Sequence, residues 1–202
     1  MKDKIVSSTA ALNADFWNNK YLNHTTGWDL GAVSPPLNSY IDSLDNKDLA
    51  ILIPGAGNAY EATYLADQGF KNITIIDIAP SLIADLRSRT SHQSQIHIIE
   101  GDFFAHQGQY ELILEQTFFC ALDPGLRRRY IDHMHELLQQ GGLLAGVLFN
   151  RYFDQAGPPF GGDLEEYQKL FSSKFEIKKM ELCNNSHPAR AGSELFIECK
   201  KG

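Results

Sequence analysis

The chain has 202 residues, 43% of them hydrophobic and 21% charged, a balance that fits one globular domain with a single core and argues against a disordered, fibrous or membrane-embedded chain. A formal net charge of -7 and an isoelectric point near 5.4 argue against a grip on a nucleic-acid backbone, which needs concentrated Lys and Arg, and leave a small molecule as the expected partner. No apolar run reaches the roughly 18 residues of a membrane span, the N-terminus lacks a signal-peptide core, and Cys120, Cys183 and Cys199 stand in neither zinc-binding nor CxxC spacing, so a reducing cytoplasmic setting and no metal are expected.

Residues 1–45 read as helix and loop. From 46 to 202, short β-rich runs alternate with amphipathic helices, which predicts an α/β domain. Leu49 to Ile53 is apolar throughout, as a strand buried on both faces requires. After Gly55 and Gly57, Asn58 is placed to cap a helix and Glu61 to complete a capping box, with Ala62, Leu65 and Ala66 along one face and Gly69 at the end. Ile73–Asp77 is the second strand, and Pro80 opens a helix carrying Leu82, Ile83 and Leu86. Ile96–Ile99 and Tyr110–Glu115 are strands three and four. Asp123-Pro124 starts the next helix and Gly141-Gly142 is expected to stop it, before a fifth strand at Leu143–Phe149. A Gly/Pro loop at 157–162, a helix from about Asp163 to Ser172, and an antiparallel pair at Phe175–Leu182 and Glu194–Cys199 complete the chain. Arg127, Arg128 and Arg129 read as a solvated helix face, and His133 and His135 as surface residues.

The chemistry is expected where the glycine turn follows strand one. Gly55, Ala56 and Gly57 let backbone approach a ligand, although a turn that merely joins strand to helix has the same sequence. Asp77, ending strand two 22 residues after Gly55, suits both hydroxyls of a ribose or, alternatively, the cap of the following helix. Asp102 and Phe103 offer an acid and a ring for adenine, with a plain turn aspartate as the other reading of Asp102. Glu115 closes strand four, so three acids are expected to ring one crevice; that suits a nucleoside bearing a cation better than a pyrophosphate, which they would repel. S-adenosylmethionine has a ribose, an adenine and a sulfonium.

The segments ILIPGAGNAYE (51–61), IIDIAP (75–80), GDFF (101–104), LILEQTFFCALDP (112–124) and GPPF (157–160), with TTGWDLGAVSPPL (25–37), resemble the thiopurine S-methyltransferase family, which includes plant and microbial thiol and halide methyltransferases. The resemblance runs from about Phe16 to Phe171. It implies a Rossmann-like class I methyltransferase fold, a seven-stranded mostly parallel sheet flanked by helices, with residues 1–45 as a helical lid and 46–202 as the core. It also implies S-adenosyl-L-methionine as cofactor, lined by Trp17, Tyr21 and Trp28, with Gly55 on its methionine part, Asp77 at its ribose, Asp102 and Phe103 at its adenine, Gln116 beside the methionine end, and Ala56, Gly57 and Ile78 among the binding residues. Relatives often carry Trp where Tyr21 stands and Tyr or Arg where Gln116 stands.

Methyl transfer from a sulfonium needs alignment and dryness more than a strong base, so no catalytic base is named and the absence of a nucleophile triad is no objection. The expected acceptor is a small thiol, a halide or a thiopurine-like molecule. A small NAD-dependent oxidoreductase is the competing reading, disfavoured by Tyr60 at the third-glycine position and by the lack of a Tyr-x-x-x-Lys pair; a non-catalytic S-adenosylmethionine-binding module is another. Glu115-Gln-Thr-Phe118 does not match the Asn/Asp-Pro-Pro-Tyr/Phe loop of DNA amino-methyltransferases. A monomer is expected, and a dimer is compatible with the sequence.

Overall fold

In the computed structural model, which describes residues 12–202, α1 (Ala14–Leu22) and α2 (Pro35–Asp42) precede β1 (Ala50–Pro54), α3 (Tyr60–Asp67), β2 (Asn72–Asp77), α4 (Pro80–Arg89), β3 (Ile96–Glu100), β4 (Tyr110–Gln116), α5 (Arg127–Leu137), β5 (Leu138–Phe149), α6 (Leu164–Phe171), β6 (Phe175–Leu182) and β7 (Glu194–Lys201). The strands form one sheet in the order β3-β2-β1-β4-β5-β7-β6. Pairing is parallel from β3 to β5, and β7 enters antiparallel between β5 and β6.

The apolar runs of β1 and β2 are explained by burial on both faces. Ile51, Ile53, Ile73 and Ile75 join Leu37, Leu65 and Leu86 in one core layer, while the alternate residues Leu52 and Ile76 join Phe119, Tyr130 and Met134 in the other. Each such side chain contributes on the order of 1.5 to 3 kcal/mol when withdrawn from water. Chain direction through the sheet then places the site. β1 leads on one side to β2 and is flanked on the other by β4, so the topology reverses beside β1 and opens a crevice outside the carboxyl ends of the strands.

Three local expectations are corrected. α3 has no capping box: it starts at Tyr60 behind Ala59, which is left-handed at φ 57° and gives no side-chain cap. The Asn58 amide instead donates to Asp29, a charged acceptor stronger than its own helix end, and Glu61 is buried. The next helix ends at Leu137, four residues before the Gly pair, because Leu138 already pairs with Tyr110; the left-handed Gly141 lies inside the strand, where the register shifts between Tyr110 and Leu112. Of the three arginines, Arg127 is not solvated. It is 7% exposed, ion-paired to Glu166, donates to the Gly161 carbonyl (2.7 Å) and lies over the Phe119 ring, because the helix face that meets α6 includes it.

Gly146 on β5 pairs with Glu115 on β4, and a methyl group there would overlap the Glu115 Cβ and carbonyl oxygen. Gly146→Ala is expected to destabilise the fold by about 1–3 kcal/mol through overpacking, read as a lower urea midpoint at unchanged slope.

Candidate active site at the carboxyl edge of the sheet

The turn after β1 is built from left-handed residues at every second position, Gly55 (φ 58°), Gly57 (φ 52°) and Ala59 (φ 57°). Glycine is required at Gly55 for a second reason, since the Phe118 ring packs where a side chain would be. Gly55 N–H donates to the Ile76 carbonyl (2.8 Å), and Gly57 N–H donates to Asp77 Oδ2 (3.2 Å). Asp77 Oδ1 accepts from Ala79 N–H (3.0 Å), ahead of α4. The expected turn residue and the expected β2 carboxylate are therefore joined directly, and the helix-entry role is realised as well. Asp77 is 9% exposed; burial pushes its pKa up, while the N–H groups of Ala79, Gly57 and Ile78 pull it back down.

The N-terminal segment lies across this turn. Asn18 on α1 accepts from Ser81 N–H (2.8 Å) at the start of α4. Trp28 meets Trp17 and Tyr21 edge-to-face, with centroids 5.6 and 5.9 Å apart. Tyr21 reaches Gly57, where a methyl group would come within 3.4 Å of its hydroxyl, and both burial and the nearby Asp77 charge raise the Tyr21 pKa. Asp29, within GWDLG, accepts from Gly31 N–H (2.7 Å), from Asn58 and from the Tyr60 hydroxyl (3.3 Å). From the far end of the chain Arg190 donates to the Trp28 carbonyl (2.6 Å) and to Glu194 (3.3 Å).

At the β3 end the turn role, one of the two readings of Asp102, is present, while the β4 end departs from expectation. Asp102 is exposed and caps the turn 103–105 by accepting from Phe104 N–H (2.9 Å). The Phe103 ring is buried against Phe118, Tyr130 and His133. His133 is consequently not a surface residue: its Nε2 bonds the Phe103 carbonyl at 2.8 Å. Glu115 does not ring the crevice. Fully buried, it accepts from the N–H groups of Phe118 (2.8 Å) and Phe119 (2.9 Å) with one oxygen and from the Tyr130 hydroxyl (2.7 Å) with the other. It points below the strand end because those donors lie there, and so it fastens the turn that carries Gln116 and Thr117. Thr117, β-branched and left-handed at φ 60°, is the strained residue of that turn. Cys120 is a core residue whose thiol donates to the Thr117 carbonyl (3.2 Å), and its own carbonyl accepts from Phe160 N–H (2.7 Å), which brings the GPPF loop against the β4 turn. His187 caps its own short turn through Ala189 N–H (3.3 Å).

A cavity of about 50 Å³ remains between the glycine turn, the β4 end and the N-terminal segment. Gly55, Gly57, Gln116 and Trp28 line it, together with two carboxylates absent from the sequence expectation, Asp29 and Glu61. Among the described residues that line it there is no Lys or Arg. A pyrophosphate would find no cation there, whereas a positively charged ligand is electrostatically matched. Ser34, whose hydroxyl donates to Gln116 Oε1 (2.8 Å), is also part of the wall. A sequence signal for Glu61 existed: it is four residues before Leu65, so an acid stands on the apolar face of α3. Asp29 and Ser34 stand within the family-like segment 25–37, but their place in the wall, like that of Arg190, had no local signal, because their neighbours come from distant parts of the chain.

Residues 12–195 match the family model of thiopurine S-methyltransferase. The chain belongs to the thiopurine S-methyltransferase family. It is 26% identical to a probable thiol methyltransferase 2 of Arabidopsis thaliana over 76% of this chain and 70% of that relative, and 26% identical to a thiopurine S-methyltransferase of Pseudomonas aeruginosa (strain LESB58) over 84% and 87%. Its fold is similar to the crystal structure of a Burkholderia thailandensis 1,6-didemethyltoxoflavin-N1-methyltransferase bound to 1,6-didemethyltoxoflavin and S-adenosylhomocysteine, with a TM-score of 0.78 at 17% identity over 95% and 88% of the two chains. A thiopurine S-methyltransferase family member is an S-adenosylmethionine-dependent methyltransferase, which sets the nicotinamide reading aside, and the acid-lined, cation-free cavity fits that cofactor.

Burial pushes the Glu115 pKa up from 4.5 to about 7, against the pull of Tyr130, Phe119 and Phe118. The native state therefore holds this proton more tightly than the unfolded chain does; the contribution to stability is fully present below pH 4.5 and is lost as pH rises through about 7. Glu115→Gln can keep all three contacts by donating its amide to Tyr130. It is expected to flatten the decline, so that urea unfolding at about pH 5 and about pH 8 shows the variant gaining on the wild type at the higher pH.

Proposed function

We propose that this enzyme methylates a small thiol, and that the crevice at the β1/β4 switch point holds the cofactor under a movable N-terminal lid. The observation that carries the reading is the junction of the glycine turn with Asp77, beside a cavity whose charged lining is entirely acidic. Asp77 with Ile78 serves the ribose, the Gly55–Gly57 backbone and Gln116 the methionine part, and the β3 end at Asp102 and Phe103 the adenine. Glu115 acts at one remove, by holding the turn that carries Gln116. Trp17, Tyr21 and Trp28 form the lid. A cavity of about 50 Å³ is far below the several hundred that enclose small molecules, so the lid swings outward for entry and closes again on the bound molecule.

When bound, S-adenosylmethionine supplies a methyl group already activated on a sulfonium. The chain's share of the work is then to align the acceptor sulfur behind that carbon and to keep water away. The Gly55–Gly57 backbone, Asp77 and Gln116 would hold the cofactor in place while its methyl group passes to an acceptor thiolate, with S-adenosylhomocysteine as the leaving group. The thiol proton leaves with solvent, since an acceptor of pKa ~8.5 is already a few per cent ionised near neutrality. The wall on the acceptor side is the β4 turn with Cys120 and the loop bearing Phe160, an apolar surface suited to an uncharged or singly charged sulfur compound. Thiol and thiopurine methyltransferases among the relatives support this acceptor class.

Transfer of radiolabelled methyl to a panel of thiols, thiopurines, iodide and thiocyanate tests the acceptor. Turnover of a thiol is expected, rising with pH toward that thiol's own pKa, ~8.5 for a simple one, while any turnover of iodide stays flat. Turnover of the inorganic anions alone would overturn the thiol assignment. Asp77→Ala is expected to weaken cofactor binding by about 1–3 kcal/mol, the scale of a lost charge-assisted hydrogen bond, measured by isothermal titration. An unchanged dissociation constant would remove Asp77 from the site.

A further inference from the structure

One carboxylate in the cavity has no task in methyl transfer. Glu61 stands in the first turn of α3, 5% exposed, and lines the cavity beside Gly55, Gly57 and Gln116. Among the described residues, only the backbone N–H groups of Ser34 and of Glu61 itself answer its charge at close range, and burial raises its pKa. No ion pair within 4.0 Å reaches it from any described Lys or Arg. Arg190, the cation that acts on it from farther away, is committed to Glu194 and to the Trp28 carbonyl, while Asp29 adds negative charge nearby. A buried acid kept for structure alone is ordinarily paired, because an uncompensated buried charge is costly. Here the unfilled side of the carboxylate belongs to the ligand cavity.

We propose that Glu61 is the counter-ion of the α-ammonium group at the methionine end of the bound cofactor. This rests on the cofactor reading above. Asp77 is bonded to Gly57 on the β2 side of the turn and marks the ribose; Glu61 shares its wall with Ser34 and Gln116 on the β4 side. The methionine chain leads from the ribose across the turn, and its ammonium, three carbons beyond the sulfur, is the cation that arrives at that wall. An ammonium offers three N–H donors to a carboxylate short of them.

Isothermal titration of the whole protein with S-adenosylhomocysteine, with its deaminated analogue and with 5'-methylthioadenosine tests the assignment, since none of the three carries charge on sulfur. The wild type is expected to bind S-adenosylhomocysteine roughly 10- to 100-fold more tightly than the deaminated analogue, the range of a charge-assisted pair. Glu61→Gln is expected to remove most of that difference and leave methylthioadenosine binding unchanged. Equal wild-type affinity for the first two ligands overturns the proposal without any variant. So does a Glu61→Gln protein that weakens all three alike, which marks a structural role, or one that weakens S-adenosylmethionine while sparing S-adenosylhomocysteine, which puts the carboxylate at the sulfonium. If the wild type binds none of these nucleosides, the cofactor reading itself falls.

Discussion

The hydrogen bond from Gly57 N–H to Asp77 Oδ2 is the constraint on which the site depends. It ties the first residues beyond β1 to the last residue of β2, so two neighbouring strand ends and the entry to α3 move as one unit. Gly55 and Gly57 take left-handed conformations in this turn, in which the Gly55 and Ala56 N–H groups donate to the Ile76 carbonyl and the Gly57 N–H to Asp77. The other walls are referred to this unit. Tyr21 closes on Gly57, Asp29 holds Asn58 and Tyr60, and Phe118 packs on Gly55.

Buried carboxylates recur around it, each answered in a different way. Asp77 is held by the backbone N–H groups of Gly57 and Ala79 at the end of β2. Glu115 is withdrawn beneath the sheet edge, with three donors on its two oxygens, and acts as a latch for the β4 turn. Glu61 has, among the described residues, backbone N–H groups alone at close range, with Arg190 acting from farther away. In all three, burial raises the pKa, and an acid-lined cavity is a site whose electrostatics improve when a positively charged ligand enters. Arg190 contributes from the opposite end of the chain, joining the loop before β7 to the segment that covers the crevice.

Much of this was readable in order along the chain. Strand ends were located within a residue or two where an apolar run met a turn, as at Ile73 to Asp77, and Pro80 and Asp163 marked helix starts because their backbone or side-chain chemistry is local. Boundaries failed where a distant partner outbid the local signal. Leu138 left the helix early to pair with Tyr110, and Asn58 gave up its cap to Asp29. Burial of single residues failed for the same reason: Arg127 and His133 read as solvated until α6 and Phe103 were packed against them.

The sequence by itself determined the α/β alternation, the glycine turn and the acid at the end of the second strand, because these follow from periodicity, left-handed backbone and spacing within some 25 residues. It also carried the family motifs. Only the tertiary structure decided which acids line the cavity. Asp29 and Glu61 reach the cavity and Glu115 turns away from it, and that sorting depends on where the N–H groups and hydroxyls of remote segments come to lie once both faces of the sheet are covered.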